Sequence, residues 1–469
     1  MNPTEEQKAI IECEEDNLIV DAKAGSGKTS TLVKFAKERP FSTFLYLAYN
    51  EPVKKEAATK FFGNTKVHTI HSLAYEHIGH FYKEKLKENL MAKDIIKGTE
   101  TLLERQKENP RDQDVYTLSS SAKDLLELFF NSKEKDFNKL PQGEVWEIAN
   151  KYWNRMQDLS DNDVQMTHDG YLKLFQASEA VLPFNYILVD EAQDSNEVML
   201  DIVLKQKSKL IFVGDKHQEI YGFRRVTNIF KDKRFSSFKK LSLTKSFRFS
   251  ESVAYLANIM LEEYTNEKVM VEGVSSTPDE IVYDISSESN YTIITRTNAH
   301  LFDLAVQKTL EGKSVSIIGG GNFEFNDLED CYYLMKGQLF KMKNKYFKKF
   351  GSLSVMKDVA KKTKDMEITF LVKVVEKYGD DILNHIAMLE RKLVNKPEYA
   401  EVVLTTIHKS KGLEFFNVKL AEDYYDLFTK DGKRKPPFSI PYEEINLYYV
   451  AITRAMEKIE MNSSLRKIA

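Results

Sequence analysis

The sequence has few of the features that mark secreted, membrane or disordered proteins. It contains two cysteines, Cys13 and Cys331, among 469 residues, which is too few for a disulfide framework and fits a reducing compartment. No apolar run approaches the roughly 18 residues that a membrane-spanning helix needs, and no signal-type segment opens the chain. With 19 glycines and 11 prolines, little room remains for low-complexity linkers. We therefore expect a soluble protein of the cytoplasm.

An excess of charge of either sign is also missing. Lys and Arg total 68 against 71 Asp and Glu, so the formal net charge is −3 and any affinity for a polyanion must come from local clusters. Hydrophobic residues make up 42% of the chain and aromatic residues 12%, which suffices for globular cores. The length predicts about three domains.

Buried strands alternating with helices predict an α/β fold with parallel sheets. The region from about 74 to 178 instead shows long charged stretches of helical period without a convincing strand, which predicts a helical insertion. Two α/β blocks separated by helical material follow from this pattern. The predicted strands are 17–21, 43–49, 186–190, 210–213, 291–295, 314–318 and 402–406.

The segment AKAGSGKT (22–29) directly follows a predicted strand and opens a predicted helix. A nucleoside triphosphate needs backbone N–H groups around its phosphates, a cation beside them and a hydroxyl for Mg²⁺. Gly25 and Gly27, then Lys28, then Thr29 supply these features in order. The pattern predicts binding of ATP or GTP with Mg²⁺, although Ala22 stands where a glycine is usual.

A second acidic element, ILVDEAQD (187–194), fits the same chemistry. A strand that ends in two acids allows Asp190 to hold the metal ion and Glu191 to polarise the attacking water. Alone this pattern is weak, because a solvated strand end looks the same. Together with AKAGSGKT it indicates phosphoryl hydrolysis.

Five motifs in order resemble those of the superfamily 1A DNA helicases of UvrD/Rep type. With VHTIHSLAY (67–75), the compact chain most resembles the F-box helicase branch, although we find no F-box. The resemblance runs from Thr4 to about Lys458, but the stretches around 80–180 and 335–400 match no motif. The five motifs are AGSGKT, VDEAQD, VGDKHQEIYGFR (213–224), TTIHKSKGLEF (405–415) and YYVAITRA (448–455).

The resemblance implies two RecA-like P-loop domains with parallel sheets that face each other across an ATP cleft, each interrupted by an insertion. We call them the first lobe (1–75 and 180–245), the helical insertion (76–179), the second lobe (246–335 and 400–469) and the basic insertion (336–399). The basic insertion is small, so the family's account of an autoinhibitory accessory domain does not transfer to it.

For the nucleotide, the resemblance implies a role for each matching residue. Gln7 would read the adenine edge, Phe247 would stack on the base, Glu414 would bind the ribose, and Ser30 stands where several relatives carry an arginine. Gln218 would sense the γ-phosphate, and Arg248 and Arg454 would reach it from the second lobe. The predicted phosphate and cofactor contacts are Ala24, Gly25, Ser26, Gly27, Lys28, Thr29 and Ser30, with Thr29 and Asp190 as metal ligands.

For the nucleic acid, aromatic side chains on loops stack on bases of any sequence. The residues that match family positions lining single-stranded DNA are Tyr49, Asn50, His71, Tyr221, Phe223 and His408. Tyr49 equally fits the end of a buried strand. Single-stranded DNA and its junctions with duplex are the expected partners, with a single-strand-binding protein or a nuclease as candidate protein partners.

Two further patterns have competing interpretations. His68, His71, His77 and His80 have a spacing reminiscent of a metal site, but no cysteine lies nearby and the resemblance explains His71, so solvated or core histidines are favoured. Residues 336–364 carry ten lysines and one acid. This density fits a duplex-contacting surface, with Tyr346, Phe347 and Phe350 as stacking or docking faces, or a solvated helix.

Together these features predict an ATP-dependent helicase that moves on single-stranded DNA and unwinds duplex. Movement from 3′ to 5′ is implied by the resemblance alone. The alternative is a DNA-stimulated ATPase that acts as a switch or as a motor subunit of a larger complex, for example with a nuclease, and unwinds little by itself. A nucleotide-binding module without catalysis is disfavoured because the predicted catalytic residues are all present: Lys28, Asp190, Glu191, Gln218, Arg248 and Arg454.

Overall fold

Two parallel β-sheets organise the chain in this computed structural model, which describes residues 2–109, 112–220, 227–319, 325–363 and 365–469. The strands are β1 (Asn17–Ala22), β2 (Phe44–Ala48), β3 (Thr65–Thr69), β4 (Leu86–Lys87), β5 (Met166–Thr167), β6 (Tyr186–Val189), β7 (Lys209–Gly214), β8 (Lys239–Leu243), β9 (Lys245–Ser246), β10 (Glu272–Gly273), β11 (Glu280–Val282), β12 (Tyr291–Thr295), β13 (Val315–Ile317), β14 (Val402–Thr406), β15 (Phe415–Leu420) and β16 (Ala455–Glu460).

Helices cover both sheets and form the two insertions. They are α1 (Glu5–Ile11), α2 (Lys28–Lys37), α3 (Glu51–Lys60), α4 (Ile70–His77), α5 (Ala92–Lys97), α6 (Glu100–Glu108), α7 (Gln113–Phe130), α8 (Glu144–Gln157), α9 (His168–Ala177), α10 (Glu197–Leu204), α11 (Glu251–Thr265), α12 (Asn298–Leu310), α13 (Phe325–Met335), α14 (Lys345–Lys348), α15 (Leu353–Thr363), α16 (Met366–Tyr378), α17 (Ile382–Lys392), α18 (Ile407–Ser410), α19 (Tyr442–Ile452) and α20 (Ser463–Arg466).

The first sheet has the order β3-β2-β6-β7-β1-β8, with every neighbouring pair parallel. Its strands alternate between two cores: Leu18 and Val20 of β1 pack with Leu32 and Phe35 of α2, while Ile19 faces the opposite side. Because parallel strands end at the same edge, the segments that follow β1, β2, β3, β6 and β7 meet there. These segments carry most of the predicted first-lobe site residues.

The second sheet has the order β11-β16-β15-β12-β14-β13 and is also parallel throughout. Its central strand β12 pairs with β14 from Tyr291↔Val402 to Thr295↔Thr406, across more than a hundred residues of intervening chain. The predicted α/β class with two parallel sheets is therefore confirmed.

The helical insertion contains one element that the sequence did not suggest. Strands β4 and β5 form a two-residue parallel ladder, Leu86↔Met166 and Lys87↔Thr167, within a region predicted to lack strands. Two residues are too short for an alternating pattern to show. The helices around it enclose a core of aromatic rings, in which Trp153 lies 5.2 Å from Phe130 and 5.9 Å from Phe129.

The basic insertion packs on the helical insertion. The ring centroid of Phe350 lies 5.8 Å from that of Tyr116 in α7, and Lys349 Nζ donates to Gln106 Oε1 at 2.5 Å. Phe347 and Phe350 are 5% and 0% exposed. The expectation that these two rings serve as stacking or docking faces is therefore wrong, because they form the core between the two insertions. Among the described residues, no helix is both long and apolar enough to span a membrane.

Candidate functional site

The glycine-rich turn between β1 and α2 requires glycine at two positions. Gly25 and Gly27 have φ of +73° and +76°, in the left-handed region that favours glycine. A Cβ on Gly25 would lie 2.4 Å from Ser246 Oγ and 2.7 Å from Arg248 Cβ. Within the described part of the chain, the buried hydroxyl of Ser26 has no hydrogen-bond partner. The turn, the free N–H groups that begin the ten-residue helix α2 and this hydroxyl together fit a phosphate.

Lys28 and Thr29, at the start of α2, face the two acids that follow β6. Lys28 Nζ lies 2.7 Å from Glu191 Oε1, and Thr29 Oγ1 donates to Asp190 Oδ2 at 3.2 Å. Burial opposes the charged ammonium, but Glu191 and then Asp190 outweigh it and raise the pKa of Lys28. Burial also opposes the Glu191 carboxylate, yet Lys28 and Lys411 lower its pKa to about 2. Lys28 and Glu191 thus form an ionised pair.

Asp190 is more buried than Glu191, and its carboxylate is bonded to a residue of β2. The phenol of Tyr46 donates to Asp190 Oδ2, and burial together with the Glu191 charge raises the pKa of Asp190. The next residue, Glu191, follows the strand with φ of +48°, a backbone conformation that residues other than glycine rarely adopt. Its Oε2 accepts from Gln193 Nε2 at 2.5 Å. The two acids therefore have separate surroundings, which suits a metal ligand beside a water-activating group.

The predicted base-binding residues gather beside Gly27. A Cβ on Gly27 would lie 3.1 Å from Gln7 Nε2 and 3.9 Å from the Phe247 ring. Gln7 also donates to the Ser26 carbonyl at 3.3 Å and caps α1 through Thr4. Ser30 is exposed on the first turn of α2. The structure thus brings the first-lobe glutamine and the second-lobe aromatic ring to the same end of the turn.

Arg248 and its neighbour Phe247 bring the second lobe into contact with the glycine-rich turn. The neighbouring Phe247 N–H donates to the Gly25 carbonyl at 2.9 Å. The Arg248 guanidinium pairs with Glu414 at 2.7 Å and donates to the Thr453 carbonyl at 2.8 Å. Arg248 and Glu414, assigned to the phosphate and the ribose, are therefore bonded to each other.

Arg454, from the second lobe, is 1% exposed. Burial and the nearby Arg248 charge lower its pKa to about 9. Its Nη2 lies 3.4 Å from Gln218 Oε1, while Gln218 Nε2 donates to Asp215 Oδ2 at 2.9 Å. Both arginines and Gln218 thus lie close to the phosphate turn, where residues of the two lobes contact each other.

Three of the predicted nucleic-acid residues, Tyr49, Asn50 and His71, follow strands of the first sheet at the same edge but are less enclosed. Tyr49 follows β2, and its ring lies 5.6 Å from Lys411 Nζ. Asn50 caps α3 by accepting from the Val53 N–H at 3.0 Å, so its side chain also has a structural role. His71 is 40% exposed and lies 2.9 Å from Asp169 Oδ1.

His408 links the second lobe to the segment that carries the remaining candidates. Its Nε2 lies 3.0 Å from the Ile220 carbonyl oxygen, and burial lowers its pKa, which favours the neutral ring. Tyr221 and Phe223, one and three residues further along, lie outside the described residues. Their assignment as stacking residues remains a prediction.

Two further residues of this site, Tyr449 and Lys411, lie inside the matched motifs, but the sequence assigned them no role. Tyr449 accepts from the Ala24 N–H at 3.3 Å and donates to Asp215 at 2.9 Å. Lys411, 6% exposed, is paired with Asp194 and donates to the Gln218 carbonyl at 2.6 Å. A tyrosine or lysine inside a matched motif was the available signal, but only the fold shows which partner each one reaches.

The four-histidine pattern is dispersed over the end of the first sheet. His68 lies near Glu76, His77 Nδ1 donates to the Leu73 carbonyl at 2.9 Å, and the ring centroid of His80 lies 3.9 Å from that of Phe81. Across the described ranges, no group of three or more His, Cys, Asp or Glu side chains is arranged to hold a metal ion.

The chain is similar to a known helicase domain and to several known DNA helicases. Residues 47–237 match the UvrD/REP helicase N-terminal domain. The chain is 31% identical to F-box DNA helicase 1 of Gallus gallus, over 99% of this chain and 49% of that protein. It is 31% identical to F-box DNA helicase protein 1 of Schizosaccharomyces pombe, over 99% of this chain and 58% of that protein. A probable DNA helicase of Mycoplasma pneumoniae is 25% identical, over 97% and 82% of the two chains.

This chain thus spans about half the length of the two F-box DNA helicases that it resembles. The domain match covers the acids of β6 and the segment after β7, while the resemblance to the relatives runs through the glycine-rich turn and both arginines. Motif order, two parallel sheets and these matches agree: residues 47–237 match the UvrD/REP helicase N-terminal domain, and nearly the whole chain is similar to F-box DNA helicases.

Proposed function

We propose that this protein is an ATP-dependent DNA helicase that moves 3′ to 5′ on single-stranded DNA and unwinds duplex. The observation that carries the proposal is the position of Arg248, a second-lobe residue whose Cβ lies 2.7 Å from where Gly25 of the first-lobe turn would place its own. An arginine that arrives from the other lobe couples closure of the cleft to phosphoryl transfer. We also propose the four-part division into two lobes and two insertions with the boundaries given above.

The chain's own residues fit ATP and Mg²⁺. The glycine-rich turn, Ser26 and Lys28 would hold the phosphates, Thr29 and Asp190 the metal ion, and Gln7 and Phe247 the adenine. Bound ATP would supply the phosphoanhydride whose hydrolysis drives movement. The buried hydroxyl of Ser26, which has no partner among the described residues, supports this fit, since a buried polar group without a partner is unusual.

The residues of the cleft would exchange partners during the cycle. Lys28 is paired with Glu191, and Arg248 with Glu414. Once the two cations turn to phosphate, Glu191 is free to orient and deprotonate the attacking water, and Glu414 is free to bind the ribose. The two arginines and Gln218 then stabilise the charge that develops on the transferred group.

The nucleic-acid face would hold single-stranded DNA across both lobes. Tyr49, Asn50 and His71 come from the first lobe and His408 from the second, with Tyr221 and Phe223 between them in sequence. Opening and closing of the cleft would change the spacing between the two groups and so move the strand. Junctions of single-stranded and duplex DNA are the proposed substrate, and a single-strand-binding protein or a nuclease are proposed partners.

The lysines of residues 336–364 would add duplex contacts. Lys341 Nζ lies 5.4 Å from the Tyr333 ring and 5.9 Å from Phe340, which is 81% exposed. An exposed aromatic ring beside a lysine suits a nucleic-acid surface better than the buried Phe347 and Phe350 do. Lys349 is bonded to Gln106 and so also holds the two insertions together.

Strand displacement by the protein alone tests the proposal. Duplexes with a 3′ tail, a 5′ tail or a fork are incubated with ATP and Mg²⁺, and displaced strand is measured together with ATP hydrolysis. The proposal expects unwinding of the 3′-tailed and forked duplexes only. Hydrolysis stimulated by DNA without displacement on any substrate would instead favour the ATPase that serves as a switch or motor subunit.

A further inference from the structure

Two adjacent tyrosines of α19, both fully buried, have different partners. Tyr448 and Tyr449 are 1% and 0% exposed. The Tyr448 hydroxyl donates to the Tyr425 carbonyl at 3.0 Å and accepts from Asn462, all within the second lobe. The Tyr449 hydroxyl instead crosses to the first lobe. Because a helix turns by about 100° per residue, neighbours in sequence point to different surroundings.

The Tyr449 hydroxyl joins the phosphate turn to the segment after β7. It accepts from the Ala24 N–H at 3.3 Å and donates to Asp215 Oδ2 at 2.9 Å. Burial and the Asp215 carboxylate raise the pKa of Tyr449 well above its ordinary value, so the phenol keeps its proton and acts as the donor. One second-lobe hydroxyl therefore bonds two first-lobe elements of the cleft.

Asp215 connects the Tyr449 hydroxyl to further residues of the first lobe through hydrogen bonds. It is 0% exposed, its Oδ1 accepts from the His217 N–H at 3.1 Å, and its Oδ2 accepts from Gln218 Nε2 at 2.9 Å as well as from Tyr449. The Asp215 N–H donates to Gln193 Oε1 at 3.0 Å, and Gln193 in turn donates to Glu191 at 2.5 Å. A buried carboxylate needs several donors, and the loss of one loosens the others.

The bond to Asp215 also sets which way the Gln218 amide points. With its nitrogen held by Asp215, its oxygen faces Arg454 at 3.4 Å. Without Tyr449, Asp215 Oδ2 would keep a single donor and the Ala24 N–H would lose its side-chain partner.

We propose that Tyr449 is a positioning residue for ATP hydrolysis, which holds Asp215 and through it the Gln218 amide in the hydrolytic orientation only while the second lobe rests on the phosphate turn. The proposal rests on the function proposed above and assigns one part of its coupling. Tyr449 acts on the rate of hydrolysis rather than on nucleotide affinity, because its hydroxyl contacts the first lobe and not the base-binding residues.

The test compares Tyr449→Phe with Tyr448→Phe, since each variant loses one buried hydroxyl of the same helix. We expect Tyr449→Phe to lower kcat of DNA-stimulated ATP hydrolysis about tenfold with KM for ATP changed less than about twofold, as befits the loss of a hydrogen bond to a carboxylate. Tyr448→Phe should leave both constants as in the wild type. Thermal denaturation of the two variants shows whether their folds are equally intact.

A double-mutant cycle with Gln218→Ala gives a readout that a merely structural role would not move. If Tyr449 acts through Gln218, Tyr449→Phe lowers kcat little further in the Gln218→Ala background. If Tyr449→Phe does not fold, Asp215→Asn replaces the charged acceptor that Tyr449 and Gln218 share by a neutral amide, and should show a similar loss and the same lack of additivity.

The outcomes separate the two proposals. A wild-type protein without DNA-stimulated ATP hydrolysis overturns the proposed function and this inference with it. An active wild type whose Tyr449→Phe variant matches Tyr448→Phe overturns the inference alone. Full tenfold loss in both backgrounds also overturns it, because Tyr449 then acts independently of Gln218.

Discussion

In the nucleotide cleft, Lys28, Arg248 and Arg454 each contact another cleft residue, at 2.7, 2.7 and 3.4 Å. On the nucleic-acid face, by contrast, His71 is 40% exposed and Tyr49 is half-buried. The cleft satisfies its buried charges internally, as burial demands. The face leaves polar and aromatic groups near solvent.

The cleft and the face therefore differ in what a bound ligand must displace. A ligand that enters the cleft replaces existing ion pairs, so closure, binding and catalysis depend on a few exchangeable contacts. A strand that settles on the face meets more exposed groups, such as His71 beside Asp169, and each contact contributes a modest share. Substitutions in the cleft should therefore have larger effects than substitutions on the face.

The largest effect is expected at the Lys28–Glu191 pair. Glu191→Gln or Lys28→Ala should lower DNA-stimulated kcat by about 10³-fold or more, because water activation or phosphate binding is lost. A steady-state ATPase assay measures this. Lys37→Ala at the other end of α2, where Nζ lies 5.6 Å from the Phe62 ring, is the control and should retain wild-type turnover. Normal turnover of either cleft variant would remove the basis of the comparison.

The second-lobe arginines come next. Arg248→Ala should lower kcat by about 10²-fold, since one preorganised cation is removed from the site where charge develops, while DNA affinity in filter binding stays unchanged. Arg434→Ala, whose side chain pairs with Glu263 at 3.1 Å on the surface of the same lobe, is the matched control. Equal activity of the two variants would show that the cleft needs no contribution from the second lobe.

On the nucleic-acid face, Phe223→Ala should uncouple hydrolysis from movement. Base stacking contributes about 1–3 kcal/mol per base, so we expect roughly tenfold less duplex unwound per ATP while hydrolysis persists. Phe41→Ala serves as control, because Phe41 precedes β2 at the opposite edge of the first sheet and is fully exposed. Unchanged unwinding by Phe223→Ala would show that its assignment as a stacking residue is wrong.

The smallest effect is expected on the basic insertion. Changing Lys341, Lys343, Lys345, Lys348 and Lys349 to glutamine should weaken duplex binding several-fold and flatten its dependence on salt, with a slope change of about 0.9 per lost phosphate contact. The control changes Lys336 and Lys357, which pair with Asp380 and Glu376 at 2.6 Å each. An unaltered salt slope in the five-lysine variant supports a merely solvated surface.

The sequence predicted the glycine-rich turn and the strands around it because their requirements are local. Gly25 and Gly27 must be glycine for their backbone, and Lys28 and Thr29 follow at fixed positions in the first turn of a helix. The seven predicted strands all appear in the two sheets, within about two residues of their expected ends. At these positions the local sequence pattern therefore predicts the same structure that the contacts in the folded protein require.

What the sequence could not supply depends on distant contacts. Strands β3 (TKVHT) and β16 (AMEKIE) gave no strand signal because they carry polar residues. Polar residues are tolerated there, since β3 lies at the sheet edge and only some side chains of β16 are buried. The lysine-rich composition of residues 336–364 hid a buried Phe350 whose partner, Tyr116, belongs to the other insertion. Likewise, no pattern distinguishes Tyr449 from Tyr448.

A structure with single-stranded DNA and a non-hydrolysable ATP analogue tests the central claim most directly. We predict that Arg248 will have left Glu414 and that the guanidinium groups of Arg248 and Arg454 will both lie within hydrogen-bond distance of the terminal phosphate. A terminal phosphate contacted by first-lobe residues alone, with Arg248 still paired to Glu414, would contradict the account.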